Sequence, residues 1–385
     1  MFDLLIKGGS VVDPVGLTTT VSDIGVSGRR VAAIGPGLSE ADAARLVDAR
    51  GLLVTPGLVD LHVHVWSGVA ELAIDNDPHH LARGATTVVD AGSSGANTFP
   101  GFRRYVIEPS LTRTLAFLHI SGMGQLDLEI GELEDIRWAR VGRAVEMARA
   151  NPDTIVGIKL RLSTVLVASN ARTAFDRAHD ATAAIGKPLM LHIGGTVDST
   201  FTLEDALARL RPGDIVTHSF TGWPPGIVDS AGRIIDAAVD ARRRGVLFDV
   251  GHGAGSFSFR TAEAALADGF APHTISSDLH VANVNGPVYD LVTTLSKFLL
   301  LGLSIEEVIA MATARPAHAI GRSSEIGRIA VGGVADLSLL RLVEGRFTLH
   351  DTRGESRVAH RRLEPVATIR AGVSSEPSPW GGESR

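Results

Sequence analysis

Residues 54–66 read VTPGLVDLHVHVW, a Pro-Gly entry followed by an apolar run that carries His62 and His64 two positions apart. Strand geometry alternates side chains between faces, so a strand here points both imidazoles the same way. Such a pair either chelates a cation or packs as two ordinary histidines, and this stretch alone leaves both readings open. The chain downstream repeats the apolar run. After Leu58–Val65, strands are predicted at Ala85–Asp90, Thr114–Ile120, Thr154–Leu162, Leu189–Ile193, Asp214–Ser219, Val246–Val250 and Thr274–Asp278. Helical patterns fill most of the gaps, at Asp135–Ala150, Ala171–Ile185, Leu203–Leu210, Arg233–Arg244, Ala262–Ala267 and Val288–Leu301. Eight strands alternating with helices predict a distorted (β/α)8 barrel in an α/β protein. The competing topology is an open doubly wound sheet, but no GxGxxG or P-loop sequence accompanies it.

Active sites of such barrels sit at the C-terminal ends of the strands. His192 closes the fifth predicted strand, His218 the sixth and Asp278 the eighth. One such histidine is ordinarily a hydrogen-bonded core residue, but four histidines and an aspartate at strand ends point to metal binding. The fourth strand holds Lys159, one of four lysines in the chain, inside an apolar run. A strand lysine commonly pairs with an acid or reaches its amine to solvent. Burial also favours the neutral amine, which can add carbon dioxide to give an anionic carbamate able to bridge two metal ions.

The H-x-H strand, Lys159, His192, His218 and Asp278 together resemble the amidohydrolase superfamily. The resemblance covers nearly the whole chain, including the entry Val54–His64 and the exit segments Met311–Gly321 and Gly332–Leu337. It implies a binuclear centre of two divalent metal ions, with zinc the expected metal. His62, His64 and Asp278 would hold one ion, His192 and His218 the other, and carboxylated Lys159 would bridge them. Such a centre implies hydrolysis of a carbonyl bond by a metal-bridging hydroxide, with Asp278 shuttling the proton.

Departures from that family narrow the substrate. Dihydroorotase-like members place an Arg where Trp66 stands, two residues after H-x-H. Hydantoinase-like members use a tyrosine near the site, and Tyr105 and Tyr289 both fall in predicted helices. Adenosine- and cytosine-type deaminases commonly carry H-x-x-E at the fifth strand, whereas here His192 precedes Ile193-Gly-Gly195. The Gly157-Ile-Lys-Leu-Arg161 run and Asp278-Leu-His280 resemble the amidohydrolase/deacetylase subgroup, which implies cleavage of an amide or ester in a small carboxylate-bearing acyl compound. Arg161 shares the face of Lys159, so it can clamp a substrate carboxylate or only stabilise the barrel mouth. His280 and His252 are further substrate-binding candidates and His119 a weaker one. Ser93, Ser94 and Gly95 are expected in a flexible loop at the mouth. The alternatives are a cyclic amidohydrolase opening a dihydroorotase- or hydantoin-like ring, or an inactive relative serving as an oligomeric scaffold.

The chain has 385 residues, no cysteine and a net charge of −6. Disulfides, cysteine-ligated zinc, iron–sulfur clusters and a thiol nucleophile are thereby excluded. The acidic balance argues against nucleic-acid binding. No run approaches the roughly 18 apolar residues of a membrane helix, and MFDLLIKGG does not fit a secretory leader. The expectation is a cytoplasmic enzyme with a small-molecule substrate and no nucleic-acid or membrane partner, in a chain type that often forms homo-oligomers. Strand-like runs at both ends, including Ile329–Val331, predict a small β-sandwich domain from residues 1–56 and 325–372 around a barrel at 57–324. Residues 373–385, rich in Gly, Pro and Ser, are expected to form a mobile tail.

Overall fold

Seven strands pair in parallel to form the sheet that carries the strand-end residues. The computed structural model describes residues 1–195 and 200–375. The strands are Leu58–Val63, Ala85–Gly95, Arg113–His119, Ile155–Arg161, Leu189–His192, Ile215–Thr217 and Leu247–Phe248, neighbours in that order. Helices such as Ala171–Ile185 cover the outer face. That helix buries Ala171, Ala174, Phe175, Ala178, Ala181 and Thr182, a three-and-four spacing that makes one apolar stripe. It stops at Gly186, whose φ of +65° is the left-handed conformation a helix C-cap favours.

The predicted eighth strand does not form as a regular strand. Residues 274–279 instead make single parallel bridges to both edges of the sheet, Asp249 with Thr274 and Val63 with Leu279. Asp278 has φ +48°, outside the extended region, and this breaks the run just where its side chain turns into the site. The second strand is longer than predicted. Ser93, Ser94 and Gly95 are buried strand residues rather than a flexible loop.

A register shift between Asp60 and Val63 decides how the first strand presents its side chains. The strand advances three residues there while its neighbour advances two, from Val88 to Asp90. One extra residue reverses the alternation of faces. Below the shift, Val59 and Leu61 join the inner apolar cluster with Val89, Phe117, Met190 and Ile215. Above it, His62 and His64 meet the residues of the other strand ends.

The chain termini build the second sheet. Strands from residues 4–56 and 337–375 are joined by hydrogen bonds into one mixed eight-stranded sheet. Its long hairpin pairs Leu337–His350 with Ser356–Arg370. Residues 329–331 are loop rather than strand, because the turn through Gly332 at φ +83° follows directly. Val373–Ser375 pairs with Thr368–Arg370, so the sheet runs past residue 372. The remainder of the predicted tail, 376–385, lies outside the described residues.

Candidate metal centre

The five strand-end residues converge around Lys159. One donor atom each from His62, His218 and Asp278 lies within 4.8 Å of the others, and all three residues are buried. Asp278 Oδ1 stands 3.4 Å from His62 Nε2 and 3.2 Å from His64 Nε2. Lys159 Nζ is 3.3 Å from His62 Nε2, and the rings of His192 and His218 are 4.4 Å apart between centroids.

Neighbours fix which nitrogen each ring presents. His218 Nδ1 lies 2.6 Å from the carbonyl of Gly251, which can only accept, so Nδ1 carries the hydrogen and Nε2 is a lone-pair donor. Thr217 donates its hydroxyl to Asp249 Oδ2 at 2.8 Å, so its oxygen accepts from His62 Nδ1, also at 2.8 Å. His62 Nε2 thereby presents its lone pair to the site, where Lys159 Nζ lies 3.3 Å away. His64 Nδ1 is 3.0 Å from the hydroxyl of Ser93, whose backbone N–H is held by Asp90.

The charge states suit the same purpose. Burial lowers His62 and His192 well below the usual imidazole value and His218 to about 4. Burial alone would raise Asp278, but the surrounding histidines, His62 first, hold it well below the usual carboxylate range. Neutral imidazoles beside an ionised carboxylate are the forms that ligate a cation. Asp278 Oδ1 is buried and makes no hydrogen bond to any described residue. Such an orphaned oxygen, facing two imidazole nitrogens, fits a cation.

Lys159 is fully buried, and desolvation brings its amine to about 7 although Asp278 opposes the shift. Its stem has room only because residue 92 is glycine. A Cβ there would sit 2.8 Å from Lys159 Cγ, and the φ of +93° is a conformation that glycine adopts freely.

The substrate-binding candidates separate. Arg161 faces the site but is engaged, with Nη1 3.1 Å from Glu132 Oε1 and 3.1 Å from Gln125 Oε1. Its Nε is buried without a hydrogen bond among the described residues. Glu132 Oε2 also lies 3.0 Å from His119 Nε2, and His119 Nδ1 accepts the N–H of Ser121. His119 is therefore a structural partner of Glu132. The His280 ring centroid is 6.3 Å from that of His64, and its Nδ1 accepts the N–H of Ala282. His252 departs from expectation. It is fully buried, with Nδ1 on the carbonyl of Gly253 and Nε2 on Lys297, which leaves no nitrogen for a substrate. Tyr289 stands at φ +64° just before the helix Leu291–Leu300, not within it. Trp66 is buried with its ring 5.5 Å from Phe102.

Sequence reasoning passed over Thr217, Asp249, Glu132, Gln125 and Lys297. Thr217 and Asp249 could have been flagged as polar residues ending apolar strands. Glu132 and Gln125 come from a long loop with no periodic signal, and their role is visible only in the fold.

Residues 258–372 match the Amidohydrolase family. A deacetylase of Brucella anthropi is 38% identical over 336 residues, covering 87% of this chain and 83% of the relative. A deacetylase of Agrobacterium fabrum is 36% identical over 360 residues, 92% of this chain and 88% of that protein. Among solved structures, an adenine deaminase superposes with a TM-score of 0.89 at 32% identity, covering 98% of this chain and 100% of that one. A dihydroorotase superposes with a TM-score of 0.88 at 34% identity, covering 97% and 98%.

Proposed function

The chain belongs to the amidohydrolase superfamily, and from that premise we propose that it is a metal-dependent deacetylase that removes an acyl group from a small carboxylate-bearing amide or ester. The observation that carries this reading is the convergence of His62, His218 and Asp278 over a fully buried Lys159. The deacetylase relatives support the acyl chemistry.

His62, His64 and Asp278 would hold one divalent ion and His192 and His218 a second, with zinc the expected metal. When bound, such ions polarise a carbonyl and lower the pKa of water. The chain's own groups do the rest. The neutral Lys159 amine adds carbon dioxide, forming a nitrogen–carbon bond and releasing a proton, so the cavity gains an anion with two ligating oxygens. Asp278, ionised, accepts a proton at its carboxylate and returns it to the departing amine or alkoxide. Arg161 meets the substrate carboxylate, sharing its guanidinium with Glu132. Residues 274–279 make single bridges to both sheet edges, and the N–H of Asp278 donates to the His62 carbonyl at 2.7 Å, which brings Asp278 beside His62.

The test is protein purified without chelators, analysed for metal per chain and assayed on N-acetyl and O-acetyl acids beside cyclic ureides. Two metals per chain with faster turnover of the acetylated acids is the expected result. Preference for the ureides would replace deacetylation by ring opening. No metal, with no activity regained on adding zinc and bicarbonate, would overturn the reading.

A further inference from the structure

Lys297 occupies the interior of the helix Leu291–Leu300 and is completely buried, an unusual place for an ammonium. Its Nζ has three acceptors: His252 Nε2 at 2.6 Å, the His350 carbonyl at 2.7 Å and the Pro287 carbonyl at 3.0 Å. Three acceptors use all three ammonium hydrogens. His252 gives its Nδ1 hydrogen to the Gly253 carbonyl at 2.9 Å, which leaves Nε2 to accept from Lys297. The imidazole also stacks on Phe257, with centroids 4.5 Å apart.

The residues on either side of His252 turn the other way. The Gly251 carbonyl takes the Nδ1 hydrogen of His218. Gly253 approaches Asp278 so closely that a Cβ would sit 2.6 Å from Oδ2. One tripeptide therefore touches two members of the metal centre with its flanking residues and is anchored from behind by its middle one. Hydrogen bonds from its amides to residues 276 and 277 set its height along the sheet, and the His252 ring ties it to the outer helix through Lys297.

We propose that Lys297 is a positioning residue for the metal centre, acting through His252 to hold the Gly251–Gly253 peptide against His218 and Asp278. The proposal rests on reading those two residues as metal ligands. The carbonyl of His350 ends the long hairpin strand, so the terminal sheet is part of the same brace. The alternative is a strut that fixes helix to hairpin and does nothing for the metal.

The test compares Lys297→Met, which keeps the length of the stem without its donors, with His252→Phe, which keeps the stack on Phe257 without either nitrogen. Phe175→Leu, in the distant helix Ala171–Ile185, controls for lost stability. Zinc affinity is measured by chelator competition, and the unfolding of metal-free protein is followed in parallel. Both variants are expected to bind zinc about ten- to hundredfold more weakly. Their double variant should lose no more than either alone, because they interrupt one chain of contacts. The control should lose stability and keep its zinc affinity. Wild-type zinc affinity in Lys297→Met and His252→Phe, or a double variant whose losses add, would overturn the proposal. If Lys297→Met does not fold, His252→Phe decides by the same criterion. Wild-type protein that binds no zinc would instead defeat the underlying reading of the site.

Discussion

Thr217 Oγ1 lies 2.8 Å from His62 Nδ1, and that contact settles which nitrogen of His62 faces the site. The hydroxyl has one hydrogen, and Asp249 takes it. Its oxygen can then only accept, so the imidazole hydrogen is pinned to Nδ1. Thr217→Val removes this hydroxyl and buries an unpaired N–H, at a cost of about 1–3 kcal/mol. Metal affinity should fall about ten- to hundredfold, while Thr217→Ser should restore it. Chelator competition, with urea unfolding of the metal-free protein, reads both effects. Equal affinity in the valine variant would show that the ring keeps its tautomer unaided.

Arg161 supplies a test of substrate class. A charged hydrogen bond lost on Arg161→Met is worth about 1.5–3 kcal/mol, so KM for an acylated acid should rise roughly ten- to hundredfold. A smaller change in kcat is expected if the contact is made equally in ground and transition states. The same substrate with its carboxylate converted to a neutral amide should be indifferent to the substitution. An equal effect on both substrates would mean that Arg161 serves only its ion pair with Glu132.

The strand-end residues were legible because their signal is local. An apolar run that carries a histidine or aspartate near its end can be read from neighbours in sequence, and five such residues meet in space around Lys159. Local patterns also located the outer helices, Ala171–Ile185 to the residue. The failures have nonlocal causes. Asp278 takes φ +48° to turn its carboxylate into the site, so the last predicted strand gives way to single bridges. The bulge between Asp60 and Val63 leaves no mark in the hydrophobic pattern, since both faces of that strand are buried. His252 fits the sequence pattern of a site residue, but a lysine 45 positions later claims its Nε2.

Asp336 ties the two sheets together. Its carboxylate meets Arg113 at 3.2 Å, from the third strand of the parallel sheet, and Arg370 at 3.1 Å, from the terminal hairpin. It also accepts the N–H of Ala371 at 2.7 Å. Asp336→Ala would leave two largely buried guanidinium groups without this partner, and removing one partner of a buried pair costs about 3–5 kcal/mol. Denaturant unfolding should show that loss. A change below about 1 kcal/mol would mean that water reaches both arginines and screens them.

Lys297 should leave a pH signature in stability. Burial lowers its pKa from 10.5 to about 7, against the charges of Asp351 and Asp290. Between those two values the unfolded chain binds the proton that the folded chain has released. Stability from this group therefore rises with pH across the window, and the penalty is full below about 7. Methionine at 297 has no proton to exchange. The unfolding free energy of wild type minus that of Lys297→Met should accordingly climb from neutral pH towards about 10 and stay level below about 7. Urea titrations of both proteins in metal-free buffer at steps across this range give that difference directly, because every other titrating group is common to the pair. A difference that stays flat through the window would show that the three acceptors around Nζ keep the ammonium as stable inside the protein as in water.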